Sequence, residues 1–170
     1  MQPRTSMLYA AAMGAAMFLG SAAMAADLPK EGRYSYTYSG AGTYKATAVG
    51  KERLLLAWDE NGLSVGNGLF DRMTFHCWGT GDAANGVGHF RGYCVGTDPT
   101  GDQVAVDIAT DHPLDAKSFD VINKLTTGTG KYAGISGGGT FVNHGPQFRT
   151  AAEGTSVSYG TLQDGTYKLP

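Results

Sequence analysis

The chain has 170 residues, a formal net charge of −2, two cysteines and 26 glycines, with 42% hydrophobic and 16% charged residues. Acids and bases are interspersed and no basic stripe occurs, which argues against nucleic acid as a partner. Glycine is about twice as frequent as usual but follows no period, which excludes a collagen-like chain and points to a sheet with many turns.

Residues 1–25 read as a cleaved secretory leader. Arg4 is its one charge, residues 7–19 are apolar, and Ala23-Met24-Ala25 forms a small-residue cleavage site. The rival reading is a membrane anchor, but Gly14, Gly20, Ser21 and many alanines leave the segment weakly hydrophobic. The expected mature protein is therefore exported, periplasmic or secreted, with no membrane attachment after cleavage. Removing residues 1–25 from 170 leaves 145, enough for one domain over 26–170.

In the mature chain Tyr34-Ser35-Tyr36-Thr37-Tyr38 alternates as a strand does. Residues 53–58 form an apolar run ending at Asp59-Glu60-Asn61-Gly62, which reads as a turn, and Leu63-Ser64-Val65 resumes beyond it. Next, residues 73–97 hold both cysteines in two runs with apolar residues at every second position. Asn85-Gly86, midway between them, is the preferred pair for a two-residue type I′ turn because both positions need φ > 0. That turn sets Cys77 opposite Cys94, Trp78 opposite Tyr93 and His76 opposite Val95. It makes the cysteines a non-hydrogen-bonded pair, whose Cα atoms approach to about 4.5 Å, within reach of a disulfide. An even cysteine pair in an exported chain favours the same bond.

Further on, Asp98-Pro99-Thr100-Gly101 places its residues as a type I turn requires, and Val104, Val106 and Ile108 then alternate onto one face. His112-Pro113 breaks the pattern and reads as a loop. Residues 114–125 are the one segment with any helical character, but Phe119, Val121 and Leu125 also alternate, so a strand is expected in the second half. Residues 134–142 and 157–167 bring the count to about eight strands. A sheet with no helix to cover it must pack on another sheet or close on itself. The expected fold is all-β, an eight-stranded antiparallel barrel with a disulfide-stapled hairpin.

The string Gly128-Thr129-Gly130-Lys131-Tyr132-Ala133-Gly134-Ile135-Ser136-Gly137-Gly138-Gly139-Thr140-Phe141, with Gly101-Asp102 opening an earlier strand, resembles the signature of the allene oxide cyclase and dirigent superfamily. The match is tight over this string and looser from residue 69 onward. The resemblance implies an exported, bacterial-type member with an eight-stranded barrel, often a homotrimer, and a largely apolar lumen. Plant members steer ring closure or coupling of a reactive small molecule there, without metal or organic cofactor. Their lumen carboxylates find no aligned positions here, so no catalytic residue carries over, and the stapled hairpin is not a feature of the plant enzymes. By residue chemistry alone the glycines serve turns and close backbone approach. They do not make a phosphate loop, because Lys131 is followed by Tyr132 rather than Ser or Thr.

The four histidines, His76, His89, His112 and His144, have no metal-ligand spacing, and no G-x-S-x-G surrounds a serine. Neither a metal nor a cofactor is expected. Of the two hairpin faces, one carries Phe75, Cys77, Gly79, Phe90, Gly92, Cys94 and Gly96. The other carries Thr74, His76, Trp78, His89, Arg91, Tyr93 and Val95. If the second face turns inward, His76, Trp78, Arg91 and Tyr93 line a small-molecule site; if outward, Trp78 and Tyr93 are a stabilising cross-strand pair. The leading expectation is a barrel that binds a small, largely apolar molecule and steers its cyclisation or isomerisation. The alternatives are a non-catalytic lipocalin-like carrier, or a structural or partner-binding protein whose barrel is filled by side chains.

Overall fold

The computed structural model describes residues 28–144 and 153–170. The expected leader lies outside the described residues. The strands are β1 (Glu31–Ala48), β2 (Arg53–Asn67), β3 (Thr74–Ala84), β4 (Val87–Thr97), β5 (Gln103–Pro113), β6 (Ser118–Gly128), β7 (Ser136–His144) and β8 (Glu153–Lys168). Each runs antiparallel to the next, and β8 returns to β1 to close the barrel. Every strand thus pairs with a neighbour on both sides.

Period-two alternation drives the strands. In β1, Tyr34, Tyr36 and Tyr38 point inward between exposed Arg33, Thr37 and Ser39. The hairpin of β3 and β4 has the register expected from Asn85-Gly86: Cys77 faces Cys94, Trp78 faces Tyr93 and His76 faces Val95. Both turn residues adopt positive φ, 52° at Asn85 and 79° at Gly86. Cys77 and Cys94 are disulfide-bonded, with Cα atoms 4.0 Å apart.

Two expectations need correction. Asp59-Glu60-Asn61-Gly62 is not a turn: β2 runs unbroken through it, paired with β1 on one side and β3 on the other. Gly62 sits there because the Tyr38 ring passes over it; a Cβ at Gly62 would lie 2.5 Å from Tyr38 Cε2. His112-Pro113 is not a loop either, but the end of β5. The His112 ring stacks on Phe119 at 3.6 Å between centroids, with Phe90 at 5.2 Å on the same imidazole. Burial lowers its pKa, so it is a neutral ring in the wall.

One end of the barrel is plugged. The 3-10 turn Gly68–Phe70 drops Leu69 and Phe70 inside, beside Met73, and all three are almost wholly buried. Phe70 meets Tyr34, Tyr36 and Phe75 at 4.9, 5.1 and 5.6 Å between centroids. Ser64 anchors the plug by donating to the Phe70 carbonyl at 2.6 Å.

The glycine-rich string does structural work near the same end. Asp98, buried at the β4–β5 turn, accepts from the Thr100 amide at 2.8 Å and from the Tyr132 hydroxyl at 2.9 Å, and pairs with Lys131. Burial opposes that charge, but the bonds from Lys131, Thr100 and Tyr132 outweigh it and hold the carboxyl well below its ordinary range. Lys131 thus ties the 3-10 turn Gly130–Tyr132 to the β4–β5 turn.

Candidate functional site

All eight strands contribute to a cavity between the aromatic plug and the His112 end. Its walls are Tyr36 and Tyr38 from β1, Trp58 and Glu60 from β2, Phe75 and Cys77 from β3, and Phe90 and Cys94 from β4. Facing them are Val106, Ile108 and Thr110 of β5, Val121 and Asn123 of β6, Phe141 and Asn143 of β7, and Ser158 of β8. They line a cavity of about 80 Å³. Phe75 and Phe141 stand edge-on to Tyr38, at 90° and 77°.

The large rings fit because glycines lie beneath them. Trp58 rests against the hairpin where Gly79 faces Gly92, and a Cβ at either would lie 2.8 or 2.9 Å from Trp58 Cζ2. This explains why the hairpin face with the disulfide is so rich in glycine, and it settles which face is inside. Phe75, Cys77, Phe90 and Cys94 are buried in the lumen.

His76, Trp78, Arg91 and Tyr93 therefore do not line the site as a set; they project from the outer wall. Trp78 is 38% and Tyr93 54% exposed, their rings 6.2 Å apart as a cross-strand pair. His76 bonds Asp59 at 2.8 Å on that surface. Arg91 borders the cavity, but its guanidinium donates to Asp111 at 2.9 Å, and His89 meets the same carboxylate at 3.0 Å. Solvating these polar groups costs less than burying them, which is why this face turns out. His144 packs against Tyr159, 5.6 Å between ring centroids.

The residue that sequence reading missed is Glu60. It is 2% exposed and lies deep in the lumen. Tyr38 donates to its Oε1 at 2.9 Å and Ser158 to its Oε2 at 3.0 Å. Gly40 keeps this contact open, since a Cβ there would fall 2.7 Å from Glu60 Oε1. Burial pushes the Glu60 pKa above the ordinary carboxylate value, against the hydroxyls of Tyr38, Ser158 and Ser156, which favour the charged form. Burial likewise raises the Tyr36 and Tyr38 phenols, which stay protonated. The signal was present in the alternation of Leu56, Trp58, Glu60 and Ser64, all inward, but the local turn signal masked it.

Chemically, the lumen offers aromatic faces, one buried acid able to give or accept a proton, and two asparagine amides. Among the described residues, no group of three His, Cys, Asp or Glu side chains is placed to hold a metal ion. No family model matches the chain, and no curated protein and no solved structure matches it.

Proposed function

We propose that this protein is exported and binds a small, largely apolar molecule in the barrel lumen, steering its cyclisation or isomerisation by shape and by the Glu60 carboxyl. The observation that carries this reading is the aromatic cavity with a single acid at its wall. Apolar walls favour an apolar guest by about 25 cal/mol for each Å² taken from water. Glu60, its pKa raised by burial, lies at the cavity wall where it can exchange a proton with a guest held against it. The leader-like N-terminus and the disulfide support export. The resemblance to the allene oxide cyclase and dirigent superfamily supports chemistry without a cofactor.

Amide NMR titration of the mature protein with ethylbenzene tests the binding step. Saturable shifts are expected at lumen residues such as Phe75, Cys94 and Phe141. Shifts confined to the outer positions His76, Trp78 and Tyr93, or none at all, would refute lumen binding.

A further inference from the structure

We infer that the lumen is built for an uncharged guest that brings one hydrogen-bond acceptor to Trp58 and one donor to Asn123. This deepens the lumen-binding proposal and rests on it.

The inference comes from two polar atoms that the fold leaves incomplete. Trp58 is 6% exposed, and its Nε1–H is buried with no protein partner among the described residues. Asn123 donates through Nδ2 to the Tyr36 hydroxyl at 2.8 Å, but its Oδ1 is buried with no partner. Both residues line the same cavity. An indole N–H can only donate and an amide oxygen can only accept, so the two need opposite partners. Each unmet group costs the fold on the order of 1–3 kcal/mol, and solvent cannot reach either from outside. The partner that completes them has to come from within the lumen.

Charge narrows the class further. Among the described residues the wall carries a carboxyl at Glu60 and no guest-facing cation, because the Arg91 guanidinium pairs with Asp111 on the outer surface. A bound anion would lie in apolar surroundings beside an acid, uncompensated. An ammonium ion fits poorly for the opposite reason. Having no acceptor, it would leave the Trp58 N–H unmet. An amide with an N–H, or a ketone that also carries an amine or hydroxyl, on a small ring meets the requirement.

The test is a matched set of probes titrated by calorimetry into the mature, disulfide-bonded protein: ethylbenzene, acetophenone, 4-aminoacetophenone, benzoate and benzylammonium. Acetophenone should bind about tenfold more tightly than ethylbenzene, since its carbonyl meets a buried donor that otherwise has none. In Trp58→Phe, which removes the N–H and keeps a ring, that ratio should fall to about one. The added donor of 4-aminoacetophenone should improve affinity several-fold, a gain lost in Asn123→Leu. Both ions should bind at least about tenfold more weakly than acetophenone near neutral pH. Equal affinities for ethylbenzene and acetophenone, an unchanged ratio in Trp58→Phe, or an ion as the tightest probe would overturn the inference while leaving lumen binding in place. Should Trp58→Phe not fold, the wild-type ratio decides alone. No binding by either neutral probe would overturn lumen binding itself.

Discussion

Breaking the Cys77–Cys94 bond should weaken the fold mainly through the unfolded chain. The two residues are 17 apart in sequence, and closing such a loop removes chain entropy from the unfolded state equivalent to about 3 kcal/mol. That is about a 100-fold change in the folding equilibrium. For a domain of this size it corresponds to a fall of roughly 10 °C in melting temperature. Urea unfolding followed by tryptophan fluorescence, on oxidised protein and on protein refolded in dithiothreitol, measures the difference. Reduction keeps both sulfurs in the lumen, so lumen packing is nearly unchanged. Cys77→Ala with Cys94→Ala should lose more, because it also removes two buried sulfurs from the cavity wall. The hairpin's turn and register are local, so reduction should slow folding about 100-fold and barely change unfolding. A loss below about 1 kcal/mol would refute the entropic account, and one expressed wholly as faster unfolding would refute early formation of the hairpin.

Gly79→Ala should cost at least about 1–3 kcal/mol, since its Cβ would clash with the Arg91 carbonyl oxygen and lie 2.8 Å from both Gly92 Cα and Trp58 Cζ2. Gly86→Ala, in open space but at φ 79°, should cost about 1 kcal/mol, and thermal melts that reverse this order would contradict the close approach of β3 to β4 and Trp58 at Gly79. Glu60 has a raised pKa in the fold, so its contribution is fully present below its unfolded pKa and is lost as pH rises through the folded value. Glu60→Gln removes that decline, and its urea midpoint should gain on the wild type as pH rises from about 4 to 8. A midpoint difference that stays flat over this range would mean that Glu60 is not held in a desolvated site.

Local chemistry alone determined the hairpin. Asn85-Gly86 admits one tight turn, that turn admits one register, and the register brings the cysteines together. Alternation and the lack of any covering helix were likewise enough for a closed antiparallel barrel. What local pattern could not decide was which hairpin face is inside, because a period of two reads the same from either side and both faces carry aromatics. Contacts between strands decided it: Trp58 of β2 needs the space over Gly79 and Gly92, while Arg91 and His89 find Asp111 of β5, and His76 finds Asp59 of β2, on the outer wall. Glu60 was hidden for a related reason. Asp-Glu-Asn-Gly favours a turn only when no neighbouring strand claims its backbone, and here β1 and β3 pair with it on both sides, carrying the carboxyl into the lumen.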